Sequence, residues 1–323
     1  MEAILITGAS GFIGSHFRNY LTRQKIVNLD LVEPAHDALS QFVKGDIRIA
    51  SDIRRAVHGK NIKSIISLAA KHHDFGIGHD EYFDTNEEAT QTLCEVAAEH
   101  GIKEIIFFSS VAVYGIREEI STEAMEPSPD GPYGASKLAG ERVLAKWVEE
   151  DPSRKVVIMR PALVFGPNNM ANMFNLIRQI DSGLYFHLGK ADNIKSIAYV
   201  ENVVKATLFL KERMKPGIAV YNYADEPQLT SRQIGTIIAE LLDKKIRITV
   251  PKIFGILMGI PFDVLIKISG KNLPVSSTRI KKLATQTYHS GQKIFSEGFK
   301  PSFSSIEGLK KMVEWYRLEK EKA

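Results

Sequence analysis

The sequence predicts an α/β protein with a doubly wound parallel sheet and a smaller C-terminal lobe interleaved with it. Three observations favour this fold class: short apolar runs alternate with helix-like segments, a glycine-rich turn follows the first run, and the alternation stops after residue 166. Strands that alternate with helices form parallel sheets with helices on both faces. A chain of 323 residues is long enough for two domains. We expect them at residues 1–166 and 167–323.

Five runs rich in β-branched and aromatic residues are the predicted strands. They cover residues 3–7, 26–30, 65–70, 105–110 and 156–160. Strand-like pieces at residues 196–200 and 219–223 are expected to return to the main sheet, so that segment 195–225 interleaves the two domains. The last helix begins at a capping box from Ser304 to Glu307.

Composition places few limits on function, because 44% hydrophobic and 25% charged residues are ordinary for a globular protein. Cys94 is the single cysteine, which excludes an intramolecular disulfide and suits a reducing compartment. The chain enters an apolar strand directly after Met1 and Glu2, without the pattern of a signal peptide. We therefore expect a cytoplasmic protein.

The net charge of +4 is unevenly distributed. Residues 243–289 carry nine basic and two acidic side chains, a net charge of +7, which leaves −3 for the rest of the chain. They also contain an apolar stretch that Pro261 and Asp263 interrupt and that is too short to span a bilayer. Two interpretations stay open: a segment lying on an anionic membrane, or a core helix of the small lobe with solvated lysines around it. Nucleic-acid binding is not expected, because no recognition motif appears.

A glycine-rich turn joins the first strand to the first helix, with Gly8, Gly11 and Gly14 at three-residue spacing. Such a turn lets the backbone approach a pyrophosphate, which then lies on the helix N-terminus. Asp30 ends the second strand, where a carboxylate accepts hydrogen bonds from a ribose 2′-hydroxyl and repels a 2′-phosphate. The next residue is Leu31 rather than arginine or lysine. The sequence therefore predicts NAD rather than NADP.

A hydroxyl, a phenol and an ammonium form the predicted catalytic group. Ser110 lies at the end of the fourth predicted strand, and Tyr133 and Lys137 are spaced i, i+4 on a helix that Pro132 can begin. A free phenol has a pKa of about 10, and a neighbouring ammonium favours the phenolate. The group can therefore remove a proton from a sugar or alcohol oxygen. The same Y-x-x-x-K spacing at Tyr316 lacks this context, and we expect no catalysis there.

Five motifs together resemble the extended short-chain dehydrogenase/reductase family, which includes NAD-dependent sugar epimerases and dehydratases on a Rossmann sheet. They are TGASGFIG at 7–14, GDIR at 45–48, SSVAVYG at 109–115, YGASK at 133–137 and RPALVFGP at 160–167. The matching motifs span nearly the whole chain. The resemblance implies an NAD-dependent enzyme.

The resemblance also implies roles for individual residues. Tyr133 would be the acid/base, Ser110 would orient the substrate oxygen, and Lys137 would also hold the nicotinamide ribose. Asn86 matches the helix asparagine of the family. The expected cofactor contacts are Gly8, Ser10, Gly11, Phe12, Ile13, Gly14, Asp30, Asp46, Ile47, Ala69, Lys137 and Pro161. The expected substrate contacts are Ser110, Val111, Tyr133, Asn168 and Lys195. Asp46 would meet the adenine, and it is equally a turn residue after Gly45.

Departures from the family pattern narrow the reaction. The 4,6-dehydratases carry an Asp-Glu pair where this chain has Val111-Ala112, and C3/C5 epimerase/reductases use a Cys and a His, whereas Cys94 lies on another element. Enzymes of UDP-sugars usually have an Asn at Leu163 and an Arg at Lys195. Several stretches, among them 220–223 and 275–282, look like bacterial 4-epimerases of undecaprenyl-diphosphate-linked N-acetylglucosamine. This likeness implies C4 epimerisation of a lipid-linked GlcNAc/GalNAc for lipopolysaccharide O-antigen synthesis, with residues 243–289 near the inner face of the membrane.

Alternatives stay open at this point. They are a UDP-sugar 4-epimerase, a one-way NAD(P)-dependent dehydrogenase or reductase, and a non-catalytic NAD-binding regulator, which would usually lack the Tyr and Lys. Family members often dimerise through a four-helix interface, so a homodimer is expected. His72, His73 and His79 lie near the expected nicotinamide site and suit contact with substrate or cofactor, but they lack a convincing ligand set and we expect no metal.

Overall fold

The computed structural model describes residues 2–21, 25–34, 40–71, 78–254 and 284–322. The described strands are β1 (Ala3–Thr7), β2 (Lys25–Asp30), β3 (Ser40–Lys44), β4 (Ile62–Ser67), β5 (Glu104–Phe108), β6 (Lys155–Pro161), β7 (Leu163–Phe165), β8 (His187–Leu188), β9 (Ile194–Lys195), β10 (Ile197–Tyr199), β11 (Gly217–Tyr223), β12 (Leu229–Thr230) and β13 (Thr249–Val250). The described helices are α1 (Phe12–Phe17), α2 (Ala50–Val57), α3 (His79–Phe83), α4 (Ala89–Glu99), α5 (Pro132–Glu150), α6 (Asn172–Asp181), α7 (Val200–Lys211), α8 (Ser231–Leu241), α9 (Gln292–Ser296) and α10 (Ser305–Lys322). A π-helical turn (Asp84–Glu88) precedes α4, and a 3-10 turn (Val111–Tyr114) follows β5.

Seven of these strands form one parallel sheet in the order β11, β6, β5, β4, β1, β2, β3. The predicted doubly wound α/β fold is therefore confirmed. One apolar cluster packs α2, α4 and α5 on one face of the sheet, and a second packs α1 and α7 on the other. Burial on both faces explains why the central strands are continuous apolar runs rather than alternating ones.

Of the two strands expected to return to the main sheet, one does and one does not. Residues 219–223 belong to β11, which pairs with β6 from Gly217 to Tyr223. The prediction for residues 196–200 was wrong, because β10 pairs with β7 outside the main sheet. With β5 on one side of β6 and β11 on the other, no edge of β6 is left for β10.

The predictions missed β3, which forms one edge of the sheet. Its residues SQFVK are only partly buried, so no apolar run marks it. Two predicted strands also end earlier than expected: β4 at Ser67 and β5 at Phe108. Ser109 and Ser110 therefore lie in the loop beyond the strand, at the carboxyl edge of the sheet.

A third apolar cluster, outside the main sheet, packs α6, α8 and α10 against β7 and β10. The capping box that begins α10 is confirmed. Ser304 N donates to Glu307 Oε2 at 2.7 Å, and Glu307 N donates to Ser304 Oγ at 3.2 Å. Within the described ranges, no helix is long and apolar enough to cross a membrane. Residues 255–283 of the basic apolar segment, and also His72 and His73, lie outside the described residues.

Candidate active site

The three loops that carry predicted site residues meet at the carboxyl edge of the sheet. The glycine turn follows β1, Ala69 follows β4 and Ser110 follows β5, and these strands are neighbours in the order β1, β4, β5. Ligands of open α/β sheets bind at this edge. The topology therefore brings the predicted cofactor and catalytic residues to one place.

The glycine turn is shaped so that only glycine fits its first position. Gly8 has φ +72°, and a Cβ there would lie 2.8 Å from Ala69 N. The turn is closed by Gly11 N, which donates to Gly8 O at 3.1 Å, and α1 begins at the next residue. Phe12 and Ile13 form the first turn of α1. A tight glycine turn that leads directly into a helix is the arrangement in which a pyrophosphate lies on the helix N-terminus.

Asp30 lies at the end of β2, as predicted, and its carboxylate is oriented by the glycine turn. Its Oδ2 accepts a hydrogen bond from Ser10 N at 2.9 Å, and its Oδ1 accepts one from Val32 N at 3.2 Å. Asn28 of β2 also attaches to this turn, because its Nδ2 donates to Ser10 Oγ at 3.0 Å. A carboxylate held in this way suits a ribose diol, and the residues therefore fit NAD.

Asp46 forms a turn and an ion pair with Arg48. Its carboxylate accepts from Arg48 N at 2.9 Å and from Arg48 Nη2 at 2.6 Å, and these bonds hold the pKa of Asp46 below its usual value. The turn interpretation therefore holds, while the adenine contact stays a prediction. Ile47 is buried beside it.

Ser110 and Tyr133 belong to elements that touch. Ser110 Oγ caps the 3-10 turn by accepting from Ala112 N at 3.2 Å. That turn packs against the first turn of α5, where a Cβ on Gly134 would lie 2.4 Å from Ala112 O. Pro132 is at the start of α5, as predicted. The glycine after Tyr133 thus allows the phenol and the serine to come from two elements in direct contact.

Lys137 is buried one turn further along α5, with 2% of its surface exposed. Its Nζ donates to Phe108 O at 2.7 Å and lies 4.9 Å from the centroid of the Phe107 ring. Burial lowers the pKa of Lys137 to about 7, and the charge of Glu141 opposes this shift. The Lys137 side chain, which was predicted to support Tyr133 as an ammonium, therefore loses its proton near neutral pH.

Asn86 lies in the π-helical turn, a feature that often marks functional sites. Its Nδ2 donates to Lys71 O at 3.1 Å and to Ser136 Oγ at 2.9 Å. It thereby connects the loop after β4 to the helix of Tyr133.

Sequence reasoning missed a buried ion pair behind these residues. Glu141 and Arg160 form two hydrogen bonds, Nε to Oε1 at 2.8 Å and Nη2 to Oε2, and each side chain is 6% exposed. Charged residues are normally solvated, so their types alone do not predict burial. The only signal was position: Glu141 is four residues after Lys137, and Arg160 opens the RPALVFGP motif.

The predicted substrate contacts other than Ser110 and Tyr133 are more scattered. Val111 begins the 3-10 turn, and Asn168 is exposed beyond β7 with φ +70°. Lys195 lies in β9, where its Nζ donates to Thr285 O at 2.5 Å, and burial lowers its pKa to about 8. Pro161, a predicted cofactor contact, is buried at the end of β6.

The second Y-x-x-x-K pair has a structural partner. Tyr316 OH donates to Asp181 Oδ2 at 2.8 Å, and Lys320 Nζ donates to the same atom at 2.6 Å. Burial and this carboxylate raise the pKa of Tyr316 to about 12. The pair therefore anchors α10 to α6 and is unsuited to form a phenolate.

His79 stacks on Phe83 at 4.8 Å between ring centroids, and its Nδ1 lies 3.3 Å from Asp80 Oδ1. In the part of the chain that the structure describes, no group of three His, Cys, Asp or Glu side chains could hold a metal ion.

Comparisons with known proteins agree with this geometry. Residues 4–224 match the sequence model of the NAD dependent epimerase/dehydratase family. The chain is 34% identical over 318 residues, 97% of its length and 95% of the relative's, to N-acetyl-alpha-D-glucosaminyl-diphospho-ditrans,octacis-undecaprenol 4-epimerase of Escherichia coli O157:H7. It is 27% identical to UDP-glucose 4-epimerase of Vibrio cholerae over 97% of this chain and 95% of the relative. Its fold is similar to that of dTDP-glucose 4,6-dehydratase from Bacillus anthracis, solved in complex with NAD, with a TM-score of 0.78, 20% identity and coverage of 99% and 98% of the two chains.

Proposed function

The chain belongs to the NAD dependent epimerase/dehydratase family, and on that premise we propose that it inverts C4 of an N-acetylhexosamine carried on a polyprenyl diphosphate. Family membership makes it an NAD-dependent enzyme of the extended short-chain dehydrogenase/reductase type. The observation that carries the proposal is the contact between the Ser110 turn and the helix of Tyr133 and Lys137, beside the glycine turn.

The proposed roles follow from the chemistry of these side chains. Tyr133, as phenolate, removes the proton from the sugar O4 and later returns it, while the Ser110 hydroxyl donates a hydrogen bond to the same oxygen. Lys137 stabilises the phenolate when it carries its proton. Bound NAD would supply the hydride acceptor at C4 and give the hydride back. Between the two transfers, the 4-ketosugar turns over in the site, so that C4 is inverted.

Two features of the chain argue against other reactions of the family. Val111 and Ala112 stand where dehydratases carry an acidic pair, so the site lacks the groups that expel water. Cys94 is buried on α4, and burial raises the pKa of its thiol to about 12. A buried thiol that stays protonated is unsuited to proton exchange at C3 or C5, which leaves C4 epimerisation or a simple oxidation or reduction.

The relative that is 34% identical supports the lipid carrier, because its name describes a 4-epimerase of a sugar linked to undecaprenol through a diphosphate. Lys195 stands where enzymes of UDP-sugars usually have an arginine. Its Nζ is directed to Thr285 O, and Leu163 stands where those enzymes usually have an asparagine. We therefore favour the polyprenyl carrier, and a role in surface polysaccharide such as O-antigen, over a UDP-sugar.

A basic apolar surface on the small lobe supports contact with a membrane. We define it by Leu184, Ile248, Ile253 and Phe254, which are 75%, 59%, 73% and 62% exposed, together with the exposed Lys190, Arg247 and Lys252. Pairing of β8 with β13 brings its two segments together. Apolar side chains flanked by cations suit an anionic lipid surface.

The deciding experiment gives the pure protein UDP-N-acetylglucosamine and, separately, polyprenyl-diphosphate-linked N-acetylglucosamine in detergent. We expect the galacto product only from the lipid-linked sugar, with no consumption of added NADH over many turnovers. Turnover of the UDP-sugar alone would instead favour a UDP-sugar 4-epimerase, the activity of the Vibrio relative. Stoichiometric consumption of NADH would indicate a one-way reductase and refute the epimerase.

Membrane contact is tested separately by sedimentation with vesicles. The double variant Ile253→Ser/Phe254→Ser should bind vesicles of anionic phosphatidylglycerol less than the wild type does. Ile306→Ser/Leu318→Ser is a matched control, because these α10 residues are also exposed, at 46% and 56%. Equal binding by all three proteins would remove the membrane from the proposal. We also propose a homodimer whose interface includes α5, and light scattering would test whether the protein is a dimer.

A further inference from the structure

The residues on both sides of Ser110 are attached to the same buried ion pair. Before Ser110, the Ser109 hydroxyl donates to Glu141 Oε1. After it, the Tyr114 hydroxyl accepts from Arg160 Nη1 at 2.7 Å. Glu141 and Arg160 then bond each other through two contacts.

This network extends to two strands, β6 and β11, and to the helix of Tyr133. Ser109 N also donates to Met159 O of β6 at 2.8 Å. The Tyr114 hydroxyl donates to Asn222 Oδ1 of β11 at 2.9 Å, and Arg160 lies over the Tyr114 ring at 5.0 Å. Each of these residues has at most 5% of its whole surface exposed. The hydrogen bonds that join Ser109, Tyr114, Glu141 and Arg160 inside the protein restrain these side chains.

The same face of α5 makes two attachments to the end of β5, one turn apart. Lys137 Nζ donates to Phe108 O, and Glu141 accepts from Ser109, the next residue. Ser110 follows immediately. The distance between the Ser110 hydroxyl and the Tyr133 phenol is therefore determined by two fixed points on one helix and by Tyr114 behind the turn.

We propose that Glu141 and Arg160 are positioning residues, which orient Ser110 toward the Tyr133 phenol through Ser109 and Tyr114. The inference rests on the proposed function, because it takes Ser110 to touch the substrate oxygen. Neither Glu141 nor Arg160 touches the reacting atoms. Their effect on the reaction is geometric, and misplacement of a reacting group by 1 Å can lower the rate about 100-fold.

The test removes one attachment on each side without leaving a buried charge unpaired. We expect Tyr114→Phe and Ser109→Ala each to lower kcat about tenfold or more, with little change in KM or in bound NAD. Tyr223→Phe is the matched control: its buried hydroxyl donates to Asp225 Oδ1 at 2.8 Å, away from the Ser110 turn. This control should lose stability but keep its kcat.

A double-mutant cycle separates positioning from a merely structural role. In a Ser110→Ala background, Tyr114→Phe should lower kcat much less than in the wild type, because the group it orients is gone. Full additivity of the two effects would overturn the proposal, and so would a wild-type kcat in both single variants.

Hydrogen exchange gives a readout that does not depend on the substrate. In Tyr114→Phe and Ser109→Ala, the peptide 109–115 should exchange faster than in Tyr223→Phe, because the cap from Ser110 Oγ to Ala112 N loosens. Unchanged exchange would overturn the network even if no sugar is turned over. If the proposed function itself is wrong, the result is a different one: the Ser110→Ala variant keeps wild-type activity.

Discussion

Lys137 Nζ donates a hydrogen bond to the main-chain oxygen of Phe108 at 2.7 Å, inside the protein. This contact attaches the helix of the proposed acid/base to the strand that ends before Ser110. It also removes the ammonium from water, and burial lowers the pKa of Lys137 to about 7. Catalysis and stability should therefore both respond to the protonation of this one amine.

The pH dependence of activity should report this amine. Because the ammonium is present below pH 7 and lost above it, we expect kcat/KM to decline above about pH 7. Lys137→Arg should have lower activity without that decline, since a guanidinium stays charged. Lys195→Gln is the control, because the pKa of Lys195, about 8, also lies in this range and its loss should leave the decline in place. An identical decline in Lys137→Arg would contradict this assignment.

Removal of the buried charge should stabilise the fold. Between pH 7 and 10.5 the unfolded chain binds more protons at this position than the folded one, so the free energy of unfolding rises with pH there. Lys137→Met should abolish that slope and raise the free energy of unfolding at pH 7 by about 1–2 kcal/mol, while activity is lost. Urea unfolding at several pH values measures both effects. A less stable Lys137→Met protein would show that the bond to Phe108 outweighs the burial of the charge.

The proposed acid/base should be separable from cofactor binding. Tyr133→Phe should keep the fold and its NAD but lose activity by about 10²–10⁴-fold, because the proton carrier is gone. Tyr316→Phe is the matched control, since its hydroxyl bonds Asp181 at 2.8 Å and should affect stability alone, by about 1 kcal/mol. Turnover assays and cofactor absorbance check both variants. A Tyr133→Phe enzyme as fast as wild type would refute the mechanism.

Gly8 should be needed for two reasons: its positive φ, and the close approach of its backbone to Ala69. Gly8 and Gly59 have φ +72° and +67°, but only Gly8 lies near other atoms, with a Cβ position 2.8 Å from Ala69 N. Gly59→Ala should therefore cost about 1 kcal/mol of stability and leave NAD binding unchanged. Gly8→Ala should cost more and lose NAD. Calorimetric titration with NAD distinguishes them, and equal NAD affinity in both variants would contradict the fit argued for the turn.

Asp225 should make stability depend on pH in a mildly acidic range. Burial raises its pKa from 3.8 to about 6, although Tyr199 N, Asn202 Nδ2 and the Tyr223 hydroxyl donate to it. The folded chain thus binds more protons there than the unfolded one, and this contribution to the free energy of unfolding falls as pH rises from about 4 to 6. The fall is about 3 kcal/mol at most. Asp225→Asn should remove it, as urea unfolding at pH 4, 5 and 6 would measure, and an unchanged slope would point to another group.

The sequence by itself determined the doubly wound α/β fold, the glycine turn after β1, Asp30 at the end of β2, and the position of Tyr133 and Lys137 in the first turns of α5. These features are local: apolar runs, glycine spacing and an i, i+4 pair each act within a few residues of the chain. The same local reasoning also separated Tyr133 from Tyr316.

Only the tertiary structure decided the features that join distant segments. It assigned β10 to β7 rather than to the main sheet, added the weakly apolar β3, buried Lys137 against Phe108, and paired Glu141 with Arg160 behind Ser110. The sequence does not distinguish a charged residue that is hydrated at the surface from one that is paired with an opposite charge in the interior. Its burial, and with it the pKa of its side chain, follows from which elements pack around it, and that packing is set by the whole fold.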